Sequence, residues 1–334
     1  MKILPYPDNP ILLCYHNKAY PFGIIQANAN SQITKWLCTK CVNTVFVPNS
    51  ALNKFDLSVW DPWGNWEGIT TQQVFNMKKE LLPFINIDML SMIRTLIDNG
   101  CYAHGTYNEK YIPFKKAYGV EDYIHDYLVI GYNNTCFYSV GFVADGHFRR
   151  FEIPFQNFID SLNYAGSSKI NVNFFSYNEG AVLKPNVDRM LSDLDKYIST
   201  AKYLDNSTPT ATSYGISTLV RVKEFFLDEV INNDRIYLDK RYSRVLYEHE
   251  WILSQIVDLF LDEDERLQFS HYTEQNLSRA KLIHLLGLKI EYTRDVKIIQ
   301  RIANYIDKIV EDEMNYIPQL ISVLRVKQES GNLK

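Results

Sequence analysis

The stretch Asp122-Tyr-Ile-His125-Asp-Tyr-Leu-Val-Ile-Gly-Tyr132, followed by Asn133-Asn134 and then Cys136-Phe-Tyr-Ser-Val-Gly-Phe142, decides how the chain is read. Aromatic and branched residues dominate both runs, and the paired asparagines suit a tight turn, so the two halves read as a β-hairpin. Taking Gly131 opposite Cys136 sets the register and places His125 opposite Phe142. The nearest carboxylate beyond Phe142 is Asp145, with Asp122 in reserve and Asp126 on the opposite strand face. A histidine at the mouth of a buried strand is well placed to act as a general base.

Working outward, Cys101–Tyr107 and Phe148–Phe155 also have strand character, with a second turn at Asp145-Gly146, and Gln156–Leu162 closes the run as a helix. Successive strands joined by short turns imply an antiparallel meander. Upstream, Asp88 reads as the N-cap of a helix with apolar positions Leu90, Ile93, Leu96 and Ile97, stopped by Asn99-Gly100. Lys35–Pro48, above all Val42–Val47, reads as a strand. Ala19–Asn28 reads as a helix weakened by Pro21 and Gly23, unless Pro21 marks a first helical turn. Trp60-Asp-Pro-Trp63-Gly-Asn-Trp66 is too irregular for either element and reads as a loop whose rings cover a cavity or a core edge.

Beyond about residue 180 the period becomes helical, in Val187–Leu204, Ser213–Asn232, Tyr242–Leu261, Glu274–Leu286 and Asp295–Leu324, with a loop at 205–212 and a solvated loop at Asp262–Glu265. The expectation is an α+β protein: a mixed domain over residues 1–180 and an all-helical domain over 181–334.

The 334 residues are 46% hydrophobic and 22% charged, enough for one or two cores. A formal charge of −4 offers no basic field, which argues against nucleic acid as a partner. No apolar run approaches the roughly 18 residues of a membrane helix, and the first ten residues lack a signal peptide's apolar segment, so a cytoplasmic protein with no membrane partner is expected. Aromatic content of 14% reads first as core and second as a pocket for a flat or elongated ligand.

Five cysteines, at 14, 38, 41, 101 and 136, are an odd set for a disulfide framework, so reduced thiols are expected. Cys14 follows the apolar Ile11-Leu12-Leu13 and precedes the first helix, where a helix N-terminus favours the thiolate, so it is the candidate nucleophile for His125. His16 is a rival base two residues on. Cys38-Thr-Lys-Cys41 has no second metal-ligand pair and reads as accidental spacing, so no metal is expected.

Several of these segments carry a resemblance. Asn9, Cys14-Tyr15, Ile97-Asp-Asn-Gly-Cys-Tyr102, Tyr111-Ile-Pro113 and His125–Asn134 together resemble the family of the butirosin-biosynthesis H protein N-terminal domain, related to the C39 peptidases. The resemblance covers roughly residues 5–165 and implies a papain-like cysteine-protease fold. Its catalytic residues would be Cys14 and His125, with Asn9 helping to hold an oxyanion and Asp145 standing in for the family's third member. It also implies an acyltransferase that moves an acyl group from a carrier-protein thioester, through a cysteine acyl-enzyme, to a small amine in thiotemplated biosynthesis. The donor would ride on the carrier's phosphopantetheine, and no other cofactor is implied. A similar cysteine-protease-like enzyme acylates a diamine to join the two halves of closthioamide, a polythioamide, which makes a diamine one candidate acceptor. Trp60, Trp63 and Trp66 would then shield the acyl group from water. Two alternatives stand beside this expectation: a cysteine peptidase using the same residues, and a non-catalytic binding protein on the same scaffold.

Overall fold

The computed structural model describes residues 1–29, 33–48, 54–57, 69–78, 88–164, 169–200, 212–232, 239–293 and 295–333. The chain forms two compact units, Met1–Asn30 with Asp61–Leu183 and Ser31–Trp60 with Lys184–Lys334. The division expected at residue 180 thus falls at 183, and the segment 31–60, expected in the first domain, belongs with the helical one. Among the described residues no helix is long and apolar enough to cross a membrane.

The first unit is built on an antiparallel sheet of β1 (Lys2–Ile3), β4 (Thr70–Lys78), β5 (Cys101–Asn108), β6 (Ile124–Tyr132), β7 (Cys136–Phe142), β8 (Phe148–Pro154) and β9 (Lys169–Tyr177). The order is β4-β9-β5-β6-β7-β8, so β5 to β8 are the expected meander, while β9 returns to pair on the far side of β5. Helix α1 (His16–Asn28), α3 (Met89–Asp98) and α4 (Phe155–Asn163) belong to the same unit. Asp88 caps α3, its carboxylate accepting from the N–H groups of Leu90 and Ser91, as its position before an apolar 3.6-residue period demands.

Two glycines explain otherwise weak spots. Gly23 lies mid-helix because the Tyr6 ring crosses α1 there: a Cβ would stand 2.4 Å from that ring. Tyr6 Oη donates to the Ala19 carbonyl at 2.8 Å, so the helix continues through Pro21 and Gly23 with the N-terminal segment strapped across it. Gly131 sits at a bulge in β6, where β1 passes so close that a Cβ would lie 2.5 Å from the Lys2 carbonyl oxygen.

The hairpin register differs from the expected one. The Asn133 side chain accepts from the Thr135 and Cys136 N–H groups, widening the turn, so Tyr132 pairs with Phe137 and Gly131 with Tyr138. Past the bulge Leu128 pairs with Val140, a ladder that, carried on, brings Asp126 rather than His125 level with Phe142.

The second unit carries α2 (Ile33–Cys38), a small antiparallel sheet ordered β10 (Ser213–Tyr214), β2 (Thr44–Val47), β3 (Lys54–Leu57), and five longer helices. These are α5 (Val187–Ser199), α6 (Ser217–Asn232), α7 (Lys240–Phe260), α8 (Glu263–Thr293) and α9 (Val296–Glu329). Lys35–Cys38, expected within a strand, is helical, because Ile33, Trp36 and Leu37 place an apolar face at helical spacing into the core. Asp262–Glu265 is a capping box: Asp262 accepts from the Glu265 N–H, and Glu265 from the Asp262 N–H. Lys327 binds both carboxylates, so these acids start α8 and tie it to α9 rather than forming a solvated loop.

The aromatic richness is spent on cores. Tyr107 stacks on Tyr127, which meets Phe158 edge-on in the first unit, and Phe46, Phe55 and Phe225 cluster about Tyr242 in the second.

Candidate active site

The end of β5 and the start of β6 define the site. Tyr107 pairs with His125, and one residue past the strand Glu109 opens a 3-10 turn, its N–H bonded to the Tyr123 carbonyl at 2.8 Å. Asn108 pins this corner with its whole amide. Its oxygen accepts from the N–H groups of Lys110 and Tyr123, and its nitrogen donates to Asp122 and to the Tyr164 carbonyl. With the backbone so held, Glu109 Oε1 accepts a hydrogen bond from His125 Nδ1 at 3.0 Å. That contact assigns the tautomer: the proton is on Nδ1 and the lone pair on Nε2.

Glu109 is also ion-paired with Lys115 at 3.1 Å, and the two side chains are only 8% and 2% exposed. Lys115 further donates to the Phe142 carbonyl at 2.7 Å, so its ammonium is not left with one partner. The preceding Phe114 has φ 70°, the left-handed region a bulky residue rarely adopts, at the point where the chain turns Lys115 inward. Burial opposes the charge on Glu109, but the hydrogen bond from His125 and the charge of Lys115 outweigh it, and the carboxyl is held below its ordinary value. Burial lowers Lys115, with Glu109 opposing. The pair keeps a carboxylate ionised in a nearly dry corner, where it fixes the imidazole ring.

Helix α1 brings the other half. His16, its first residue, stacks on Tyr20 and Phe142 and lies with its ring 4.6 Å from the His125 ring. Burial, together with the charges of His125, Lys115 and His104, pushes His16 well below its ordinary value, so it is a neutral imidazole. Its Nε2 is buried without a hydrogen-bond partner. Cys14 is buried two residues before His16, and Tyr15, the extended N-cap, contributes no side-chain cap, so the first-turn N–H groups of α1 adjoin the thiol's segment. The start of α1 and the mouth of β6 therefore meet at one place.

The remaining expected residues fall elsewhere. Asp145, expected to hold the imidazole, is half exposed, accepts from the His147 N–H and pairs with Arg149 at 2.9 Å. Glu109 occupies the role because it lies on the strand before His125 rather than after it. Asn9 is exposed, and the Gln26 side chain of α1 donates to its backbone carbonyl at 3.3 Å. Trp60, Trp63 and Trp66 lie outside the described residues.

None of the five cysteines is in a disulfide. Cys38 and Cys41 are fully buried, and burial, then the Cys41 charge, drives the Cys38 thiol far up, which makes it unreactive. No protein-family model matches the chain, and no curated protein matches it.

Proposed function

We propose that the first unit is a papain-like cysteine acyltransferase that forms an amide from an acyl thioester and an amine, with Cys14 as nucleophile, His125 as base and acid, and Glu109 as the residue that orients His125. The observation that carries this reading is the Glu109–His125 hydrogen bond, set against the beginning of a helix whose approach segment holds Cys14. It is the arrangement a thiol nucleophile needs: a base whose Nδ1–H is held by a carboxylate, with Nε2 left to take a proton.

In the first step His125 Nε2 takes the Cys14 proton, and the thiolate adds to the thioester carbonyl, assisted by the positive end of α1. Collapse breaks the old C–S bond, and the departing pantetheine thiolate recovers the proton from the imidazolium. In the second step the amine attacks the acyl-cysteine, His125 takes the amine proton, and the Cys14 thiolate leaves as the amide forms. A thioester needs no strong acid to expel its leaving group, which suits a site whose second histidine, His16, is neutral. The implied partners are an acyl or peptidyl carrier protein and a small amine, diamines included, in the cytoplasm.

The test is incubation with an acyl-carrier thioester and an amine, followed by mass detection of products. An amide that vanishes in Cys14→Ala is expected. Release of free acid alone, or cleavage of a peptide in its place, would refute the amide-forming reading.

A further inference from the structure

In the second unit, α7 and α9 bring His249, Glu250 and Glu313 together, all three buried, with one donor atom from each lying within 4.8 Å of the others. The histidine is fixed from behind: Nε2 meets the Val42 carbonyl at 2.9 Å, so the proton is on Nε2 and the Nδ1 lone pair faces inward. Nδ1 is hydrogen-bonded to Glu250 Oε1 at 3.4 Å and lies 3.8 Å from Glu313 Oε1. Tyr197 donates to the other Glu313 oxygen at 2.7 Å. Among the described residues no donor from elsewhere in the fold reaches Glu250 Oε2 or Glu313 Oε1, both buried, and the two carboxyl groups lie within hydrogen-bond reach of each other; the Tyr316 hydroxyl is also buried without a partner. The nearby Arg279 does not satisfy them, being taken by Asp312, Asn276 and Gln275.

The geometry points to a binding site for one divalent first-row transition-metal ion, coordinated by His249 Nδ1 and the carboxylates of Glu250 and Glu313. Two carboxylates and a neutral imidazole cancel a 2+ charge in an interior that tolerates no net charge. A mixed nitrogen and oxygen set suits zinc, manganese or iron(II) rather than calcium or magnesium. Donors bound at about 2.1 Å around a tetrahedral ion stand about 3.4 Å apart, close to the separations from Nδ1 to the two carboxylates. A backbone carbonyl holding the far nitrogen of a ligand histidine, and a hydroxyl holding the far oxygen of a ligand carboxylate, are the outer contacts such sites use.

Burial raises Glu250 to about 8, and burial with the charge of Glu250 raises Glu313 well above its ordinary value. Burial lowers His249, against the pull of Glu313. Metal uptake would clamp α7 to α9, since the donors come from both helices.

The test uses the whole chain with its accessible thiols alkylated, stripped with a chelator, equilibrated with Zn2+ or, separately, Mg2+, and analysed for metal per chain and melting temperature. One zinc per chain, a raised melting temperature and no response to magnesium are expected. Glu313→Gln keeps the shape and the acceptor for Tyr197, and should fold; its zinc content should fall at least tenfold and its melting temperature should no longer respond. Cobalt substitution gives a second readout, a d–d absorption present in the parent and lost in His249→Gln. Zinc content unchanged in Glu313→Gln, or no ion bound by the parent at millimolar zinc, overturns the site and leaves a proton shared between two buried acids.

Discussion

Replacing Glu109 with glutamine tests both roles assigned to it. The Glu109–Lys115 pair is almost fully buried, and removing one partner of such a pair typically costs about 3–5 kcal/mol because the other charge stays in place. Lys115 keeps its bond to the Phe142 carbonyl, which puts Glu109→Gln at the lower end, about 3 kcal/mol, or roughly two orders of magnitude in the folding constant. Lys115→Met leaves Glu109 bonded to His125 and should cost somewhat less. The double variant removes both charges and should lose about 1–3 kcal/mol less than the sum of the two single losses. Urea titration of the four proteins at pH 7 measures this cycle through the midpoints and slopes. Activity separates the second role: Glu109→Gln should lower kcat/KM on the order of 10²-fold, through loss of the carboxylate charge that stabilises the imidazolium, under conditions where the variant is still folded. Additive losses within about 0.5 kcal/mol would refute the coupling, and an active Glu109→Gln would refute the role of Glu109 in supporting His125.

Asp145→Asn should leave kcat/KM within about twofold, since a half-exposed side chain paired with Arg149 contributes little, and steady-state kinetics will show it. Gly131→Ala should destabilise the first unit by about 1–3 kcal/mol, because a Cβ there collides with backbone of β1; the denaturant midpoint is the readout. In metal-free protein, Glu250 binds its proton more tightly folded than unfolded. Stability should therefore fall as pH rises from the ordinary carboxyl range through about 8, by an amount on the order of several kcal/mol, with the raised Glu313 acting in the same direction; melting at pH 5.5 and 8.5 tests the sign, and Glu250→Gln should reduce the slope.

Local signals carried much of the fold. The alternation and turn residues of 125–142 mark the hairpin, and Asp88 and Asn99-Gly100 bound a helix whose apolar face has its expected period; in the C-terminal half α7 and α9 fall near their expected places, whereas α8 runs from Glu263 to Thr293, well beyond the expected Glu274–Leu286, and Ser213–Tyr214, expected to begin a helix, is strand β10. What was not legible depends on contacts distant in sequence. Gly23 looks like a helix breaker until Tyr6 is seen lying over it, and the hairpin register is set by the turn that Asn133 holds together with the bulge beside Gly131. The strand Lys169–Tyr177 does alternate, Ile170-Asn-Val-Asn-Phe174, but a reading that closes the sheet with the helix at 156–162 passes over it. Glu109 illustrates the same limit at the site. Only the β5–β6 pairing, Tyr107 opposite His125, brings it to the imidazole, whereas a search along the following strand ends at Asp145. His249 and Glu250 are adjacent in sequence and ordinary to read; Glu313, sixty-odd residues later, turns them into a cluster.

Exposure of the protein to a short acyl thioester, followed by intact-mass measurement and peptide mapping, tests the central claim most directly. Cys101 is the most accessible thiol of the five, while Cys14 is buried two residues before His16, whose ring lies 4.6 Å from that of His125, so accessibility and activation make opposite forecasts. The account predicts a single acyl adduct on Cys14, lost in Cys14→Ala and formed far more slowly in His125→Ala. An adduct that maps to Cys101, or one on Cys14 whose rate is indifferent to His125, contradicts it.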